Sequence, residues 1–259
     1  MKKVLTIAGS DCSGGAGIQA DIKTITAHKM YAMSAITALT AQNTTGVYGV
    51  LEATPEFIGS QLDCIFKDIR PDAVKIGMVS NTKIIEIIAD KLGEYKAQNI
   101  VVDPVMVSTS GGKLLNDNAI DALINYLFSL ATVITPNIPE AETLVGFSIN
   151  DRSDMQKAAE KLSKLTTGSV LIKGGHLEDS ADDLLFTDGK VFWLKSPKIY
   201  NPNTHGTGCT LSSAIACNLA LGLTTLESVK NAKEYITGAI KAGLNIGRGR
   251  GPLNHCYNL

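Results

Sequence analysis

The chain has 259 residues, of which 44% are hydrophobic and 19% are charged, and its formal net charge is −1. This length and composition predict a globular protein with a sizeable core, organised as a single domain over residues 1–259. The near-zero charge gives no electrostatic reason to expect nucleic acid or an anionic membrane as a partner. No segment approaches the ~18 consecutive apolar residues of a transmembrane helix. Gly9 ends the first apolar run too early for a signal peptide, so we expect a cytoplasmic protein.

Short β-rich runs alternate with amphipathic helical patterns along most of the chain. The predicted strands are residues 4–8, 32–39, 73–76, 100–103, 133–135 and 169–173, and the predicted helices are residues 17–28, 55–69, 82–92, 118–130, 139–145, 151–165, 209–221 and 225–245. This alternation predicts βαβ units and a mainly parallel sheet that is covered on both faces. Asp188-Gly189, between β-rich runs at 183–187 and 190–194, predicts a late antiparallel hairpin.

The cysteines predict neither a disulfide framework nor a zinc site. There are five of them, an odd number, and they are scattered without a CxxC pair. The four histidines also lack metal-ligand spacing, so we expect no structural metal. The cysteines are Cys12, Cys64, Cys209, Cys217 and Cys256.

Polar residues gather at the ends of the predicted strands. They are Ser10-Asp11, Gln42-Asn43, Gly77-Met78, Asp103-Pro104, Pro136-Asn137 and Lys173-Gly174. In open parallel sheets, ligands bind beyond the carboxyl ends of the strands. We therefore expect these residues to converge on one site.

The stretch from Asn203 to Thr210 is glycine-rich and leads directly into an apolar helical segment. A turn of this kind presents unpaired backbone N–H groups at the positive end of a helix dipole, which favours phosphate binding. Cys209 lies inside the turn, where the same field would favour the thiolate. An ordinary junction between a loop and a helix, with a buried cysteine, is the structural alternative.

Four further segments carry residues suited to phosphate and Mg²⁺. The glycine-rich loop from Gly9 to Gly17 is not a Walker A loop, and it is either a tight turn or a close approach of backbone to a ligand. Asp103 is well placed for Mg²⁺, and Lys173 for a phosphate. Asn137 and Glu140 add an amide and a second carboxylate, although a capping box at a helix N-terminus would explain the same pair.

Taken together, these motifs resemble the hydroxymethylpyrimidine and phosphomethylpyrimidine kinases of thiamine biosynthesis, in the ribokinase-like superfamily. The resemblance keeps its order over nearly the whole chain. Its segments are residues 8–11, 14–21, 37–44, 75–78, 103–107, 135–137 with Glu140 and Glu142, 173–175 and 205–210. It implies a three-layer α/β/α sandwich and a homodimer. The implied reaction uses ATP and Mg²⁺ to phosphorylate 4-amino-5-hydroxymethyl-2-methylpyrimidine and then its monophosphate to the diphosphate.

The resemblance also implies roles for individual residues. Gln42 would bind the aminopyrimidine ring, and Cys209 would be the catalytic base, at a position where most ribokinase-like sugar kinases have an aspartate. The rest of the substrate pocket would be formed by Gly9, Ala16, Met78 and Val105, and the anion hole by Gly206, Thr207 and Gly208. ATP or its Mg²⁺ would be held by Asp103, Asn137, Glu140, Lys173 and His205, with Asp103 and Glu140 as the metal carboxylates. Dependence on a monovalent cation stays open.

One segment departs from the family pattern. After Val107 the family has Ala-Lys-Ser-Gly, whereas this chain has residues 108–112, Ser-Thr-Ser-Gly-Gly, and its next lysine is Lys113. We expect this loop to be a lid, and whether Lys113 replaces the missing lysine is open.

Two alternative functions follow from the same motifs. Pyridoxal kinases share the architecture and phosphorylate a similar ring alcohol. Gln42 favours the aminopyrimidine, and the lid has Ser108 rather than the second cysteine of certain pyridoxal-directed relatives. Use of both substrates stays open. A non-catalytic binding protein on the kinase fold is disfavoured, because binding alone requires no base such as Cys209.

Overall fold

The computed structural model describes residues 1–106, 117–175, 181–196 and 199–259. Within these residues, nine strands form one sheet in the order β3-β2-β1-β4-β5-β6-β7-β8-β9. They are β1 (Lys3–Asp11), β2 (Tyr31–Asn43), β3 (Gly46–Glu52), β4 (Ala73–Ile76), β5 (Ile100–Val102), β6 (Val133–Ile134), β7 (Ser169–Ile172), β8 (Asp183–Thr187) and β9 (Lys190–Leu194). The segment 108–112 and Lys113 lie outside the described residues.

The six central strands, β2-β1-β4-β5-β6-β7, are parallel to one another, whereas β3, β8 and β9 join antiparallel at the two edges. The chain adds β2 on one side of β1 and β4 on the other. The order of connection therefore reverses between β1 and β4, and a crevice opens there at the carboxyl ends of the strands. This point of the fold positions the candidate site.

Helices cover both faces of the sheet. One face packs against α2 (Pro55–Asp68), α3 (Thr82–Glu94), α4 (Asp117–Ala122), α5 (Ile138–Val145) and α6 (Arg152–Leu162), and the other against α1 (Gly17–Ala27), α7 (Thr207–Ala220) and α8 (Thr225–Ala242). Side chains alternate along each strand, so that Val4 faces α7 and α8 while Leu5 faces the opposite layer. The expected three-layer α/β/α sandwich is confirmed.

The late hairpin is confirmed with the predicted bounds, because Asp188 and Gly189 both adopt positive φ, 51° and 70°, as a tight two-residue hairpin turn requires. Four elements depart clearly from the prediction. The first two strands are longer than predicted and include Asp11 and Gln42. Strand β3 was predicted as a loop, since it lies at the sheet edge and buries no face that would give an alternating pattern. The helix predicted over 118–130 is α4 followed by a π-turn and a 3-10 turn.

Candidate active site

A cavity of about 730 Å³ opens at the carboxyl ends of the central strands. Every site residue predicted from the sequence lines it: Gly9, Ala16, Gln42, Met78, Asp103, Val105, Asn137, Glu140, Lys173, His205, Gly206, Thr207, Gly208 and Cys209. The expected convergence of strand-end residues is therefore confirmed in space. Their individual roles stay predictions.

The turn before α7 is formed by close backbone packing. Gly206 caps the helix with φ at 83° and without a side-chain hydrogen bond to the first turn. A Cβ at Gly206 would lie 1.9 Å from the carbonyl oxygen of Gly15, so the turn rests directly on the first glycine-rich loop. Thr207, Gly208 and Cys209 follow at the positive end of the helix dipole. The arrangement suits an anion.

Asp103 lies beneath this turn and is held by three side chains. Its Oδ1 accepts hydrogen bonds from Nζ of Lys173 at 2.7 Å and from Oγ1 of Thr135 at 3.1 Å. Its Oδ2 accepts a longer one from Oγ of Ser212 at 3.4 Å. Burial opposes its ionisation, but Lys173, Lys75 and the hydroxyl of Thr135 together outweigh burial and lower the pKa of Asp103 below its usual value. The carboxylate is therefore charged and fixed in place.

Glu140 is both a helix cap and a buried carboxylate of the site. Its Oε2 accepts the backbone N–H of Asn137 at 2.8 Å, and its own N–H donates to Asn137 Oδ1 at 2.9 Å, so the capping box considered in the sequence is present. Nζ of Lys173 lies 4.0 Å from Oε2 of Glu140. Burial, with Asp103 nearby and despite Lys173, raises the pKa of Glu140 to about 7. The same carboxylate therefore caps the helix and lines the cavity, and its functional role stays a prediction.

Cys209 lies in the first turn of α7, and the backbone N–H of Gly17 acts on its sulfur in the direction of a lower pKa. The expectation that the helix terminus would lower its pKa is wrong. Burial raises the pKa of Cys209 to about 11, the carboxylates of Asp21 and Asp103 act in the same direction, and Lys75 opposes them. Desolvation of the thiolate outweighs the helix dipole because the sulfur lies among buried groups.

At the other end of the cavity, the loop from Gly9 to Gly17 contacts the residue that precedes the turn before α7. Nε2 of His205 lies 2.8 Å from Oδ2 of Asp11, and that carboxylate also accepts the backbone N–H groups of Ser13, Gly15 and Ala16. His205 is buried, and Nε2 of Gln42 lies 3.4 Å from its ring nitrogen. The ring that was predicted to contact the cofactor is therefore engaged by Asp11, and its cofactor role stays a prediction.

Sequence reasoning missed a buried ion pair behind Cys209. Nζ of Lys75 lies 2.8 Å from Oδ2 of Asp21, and both side chains are fully buried. A lysine inside the apolar strand Ala73–Ile76 was the available signal. It pointed to a buried countercharge, because lysine is almost never fully buried unless it is paired.

Sequence reasoning also missed the apolar wall of the cavity. Leu211 from α7 and Ile236 and Ile240 from α8 line it, and beside them Lys233 donates a hydrogen bond to the backbone carbonyl of Ala181 at 2.7 Å and forms an ion pair with Asp183. Leu211 closely follows the glycine-rich turn, whereas Ile236 and Ile240 come from the next helix, where no local motif marks them as site residues. The wall offers a surface for a planar, apolar group.

The described residues contain neither a cluster of metal-binding side chains nor a membrane-spanning helix. No group of three or more histidine, cysteine, aspartate or glutamate side chains there could hold a metal without other ligands. No helix in the described ranges has both the length and the apolarity needed to cross a membrane. The cytoplasmic location stays a prediction.

The phosphomethylpyrimidine kinase family model matches residues 11–254, which include the whole cavity lining except Gly9 and Ser10. The chain belongs to the phosphomethylpyrimidine kinase family. The family assignment made from the sequence motifs is confirmed, and so is the expectation that the chain is a kinase.

Two curated relatives extend over nearly all of this chain. The hydroxymethylpyrimidine/phosphomethylpyrimidine kinase of Haemophilus influenzae is 47% identical over 98% of this chain and 97% of its own length. The thiamine biosynthesis bifunctional protein of Geobacter sulfurreducens is 50% identical over 97% of this chain, which spans only 52% of that longer protein.

A solved structure carries the same fold with ligands bound. The pyridoxal kinase of Staphylococcus aureus, in complex with AMP-PCP and pyridoxal, superposes with a TM-score of 0.91. It is 37% identical and covers 100% of this chain and 95% of its own. AMP-PCP is an ATP analogue, so this relative supports ATP as the phosphoryl donor in the fold.

Proposed function

We propose that this kinase transfers the γ-phosphoryl group of ATP to the hydroxymethyl group of 4-amino-5-hydroxymethyl-2-methylpyrimidine, and then phosphorylates the monophosphate to the diphosphate in thiamine biosynthesis. One observation carries the proposal. The Asp103–Lys173 pair, at 2.7 Å, lies under the same glycine-rich turn that adjoins Gln42 through His205. The groups that we propose for binding the phosphate and the ring therefore line one cavity.

The nucleotide half of the proposal rests on charge and shape. A Cβ built on Gly208 would lie 3.3 Å from Oδ2 of Asp103 and 3.5 Å from Nζ of Lys173, so the open backbone of the turn faces both charges at close range. A transferring phosphoryl group would lie between the N–H groups of the turn and Lys173. The apolar wall formed by Leu211, Ile236 and Ile240 would accommodate the adenine ring.

The residues fit a Mg²⁺ ion. Asp103 and Glu140 are two buried carboxylates, and Asp103 contributes to raising the pKa of Glu140, a repulsion that a divalent cation would relieve. Mg²⁺ commonly takes one or two carboxylates and completes its shell with water and phosphate oxygens. Bound there, it would neutralise charge on the phosphates. Asn137 would support Glu140 through the capping box, and a monovalent cation stays an open part of the proposal.

We propose Cys209 as the group that accepts the hydroxyl proton. Its high pKa keeps the thiol neutral at ordinary pH, so the reactive form would be the minor thiolate fraction that has already released its proton to solvent, and this thiolate would be a strong base. Lys75 is the cation that favours this thiolate. The backbone N–H of Gly17 also favours the thiolate.

A second candidate function has one specific observation in its favour. The Staphylococcus aureus neighbour holds pyridoxal in the same fold. Pyridoxal also carries a ring hydroxymethyl group, so dual use is a real alternative. The pyrimidine monophosphate separates the two, because a phosphate acceptor is expected only of the thiamine-pathway enzyme.

The test measures ADP release with three acceptors: the pyrimidine alcohol, its monophosphate and pyridoxal. Turnover of both pyrimidines, lost in an Asp103→Asn variant that still folds, would support the proposal. Turnover of pyridoxal alone would replace it with the second candidate. Absence of turnover with all three acceptors would contradict the proposal that the protein phosphorylates these substrates.

We also propose a homodimer. Strand β3 is an edge strand whose side chains are exposed, including Tyr48, Val50 and Leu51. Exposed apolar edge strands invite pairing with another chain. Light scattering on the purified protein tests this part, and a monomer at micromolar concentration would contradict it.

A further inference from the structure

A row of hydrogen-bonding groups runs from Asp11 through His205 to Gln42 and Thr40. Nε2 of His205 lies 2.8 Å from Oδ2 of Asp11 and 3.4 Å from the Gln42 amide. On its other side, the same amide lies 3.0 Å from Oγ1 of Thr40. The inference below rests on the proposed function, because it concerns how that site orients its substrate.

Asp11 can only accept hydrogen bonds in this row. It already receives hydrogens from the hydroxyl of Ser13 and from the backbone of Ser13, Gly15 and Ala16. Burial opposes its ionisation, but hydrogen bonds from His205 and from this loop hold the pKa of Asp11 well below its usual range. A carboxylate has no hydrogen to give, so Nε2 of His205 carries the hydrogen between them.

That assignment decides which end of the Gln42 amide faces His205. An amide oxygen and an amide nitrogen have nearly the same shape, so their neighbours decide the orientation. With its nitrogen toward His205, Gln42 would place its own N–H against the Nε2–H of the histidine ring. Turned over, its oxygen takes the longer branch of the single Nε2 hydrogen that points mainly at Asp11, and its nitrogen donates to Thr40.

The hydroxyl of Thr40 agrees with the turned amide. Its oxygen lies 3.0 Å from the backbone carbonyl of Ser10, to which it donates its single hydrogen. The hydroxyl then has lone pairs left to accept the N–H of Gln42. One arrangement avoids opposing two hydrogens anywhere in the row, and it has the Gln42 oxygen on the His205 side, sharing the Nε2 hydrogen with Asp11.

We propose that the Asp11–His205 pair sets the direction of the Gln42 amide and thereby determines which way round the aminopyrimidine binds. His205 is then a positioning residue that acts on specificity through Gln42. The outer edge of the amide carries its second lone pair on the His205 side and its second N–H on the Thr40 side. This edge is complementary to a ring nitrogen beside an amino group.

The direction matters because the amino group of the substrate adjoins the carbon that bears the hydroxymethyl group. Pairing the amino group with the Gln42 oxygen places both substituents toward His205. His205 is followed directly by Gly206, the start of the anion-binding turn. With the amide reversed, the reacting hydroxyl would lie on the Thr40 side, away from the turn.

The test compares the aminopyrimidine alcohol with the matched alcohol that carries hydrogen in place of the 4-amino group. The readout is the ratio of their kcat/KM values, whatever a variant does to the absolute rates. His205→Leu removes the hydrogen donor, while His205→Gln keeps a donor nitrogen at a similar reach. We expect the ratio to fall about 10-fold in His205→Leu and to stay near the wild-type value in His205→Gln. Thermal unfolding checks that both variants fold.

A second measurement needs no substrate. Nitrogen-15 NMR of the histidine rings in the free protein is expected to show His205 protonated at Nε2, and an unprotonated Nε2 would overturn the inference by itself. An unchanged ratio in His205→Leu, or an equal loss of ratio in both variants, would also overturn it. Absence of turnover by the wild type would instead overturn the proposed function, and with it the substrate part of this inference.

Discussion

Lys75 and Asp21 form an ion pair that is wholly buried, with Nζ of Lys75 2.8 Å from Oδ2 of Asp21. Oγ1 of Thr6 donates to the same carboxylate at 2.6 Å, and Oγ of Ser213 donates to it at 2.8 Å. Burial works against the charge on Lys75, but Asp21, with Cys209 and Asp103, outweighs burial and raises the pKa of Lys75 above its usual value. The pair therefore joins β1, β4, α1 and α7 behind Cys209.

Lys75→Met is expected to destabilise the protein by about 3–5 kcal/mol, because Asp21 is then left buried without a countercharge. The measurement is the free energy of unfolding in urea. The control is Lys75→Met combined with Asp21→Leu, which removes both charges and should recover most of the loss. A single variant within about 1 kcal/mol of the wild type would show that the pair is not needed for stability.

Gly206→Ala is expected to lower stability by about 2–4 kcal/mol and kcat by at least about 100-fold, because the new Cβ would overlap the Gly15 carbonyl and displace the anion-binding turn. Gly222→Ala is the matched control. Gly222 lies just after the C-terminal end of α7, the helix that Gly206 caps at its N-terminus. Its φ is 87°, and a Cβ there would meet nothing within 4 Å. It should cost only about 1 kcal/mol and leave kcat unchanged. Equal effects of the two variants would refute the packing argument.

Glu140→Gln is expected to stabilise the protein above pH 7. The pKa of Glu140 is raised to about 7 in the fold, so its favourable contribution is complete below its unfolded pKa and is lost as pH rises through 7. Glutamine can still accept the N–H of Asn137, so the capping box survives. We expect a gain of up to about 3 kcal/mol at pH 8, little gain at pH 4.5, and loss of most activity. The measurement is the Tm of the wild type and the variant between about pH 4.5 and about pH 8. A gain in Tm that does not depend on pH would contradict the raised pKa of Glu140.

The rate of the wild-type enzyme is expected to rise with pH. If the thiolate of Cys209 accepts the proton, log kcat/KM should climb by about one unit per pH unit from pH 7 to 10, because the thiol pKa is about 11. Cys209→Asp supplies a base that is already ionised, so its profile should be flat over the same range. Cys209→Ala should lose about 100-fold or more in kcat. A flat wild-type profile would remove the thiolate from the mechanism.

Much of the architecture and the membership of the site were within reach of the sequence. The helices, the parallel strands and the hairpin at Asp188 follow from local periodicity and turn chemistry, which neighbouring residues determine. The site residues could be collected because parallel strands bring their carboxyl ends to one edge, so that Asp103, Asn137 and Lys173 had to lie close together. Family motifs in the correct order then indicated the chemistry.

The energetics of the site depended on the tertiary structure. Cys209 was expected to have a lowered pKa, and burial beside Asp21 and Asp103 raises it instead. Lys75 and Asp21 are 54 residues apart, so no local pattern could pair them. The glycine-rich turn at Gly206 was visible in the sequence as an anion site, whereas the groups that desolvate it and set its charge come from distant segments. Burial and Coulomb energy depend on distance in space, and only the folded chain sets those distances.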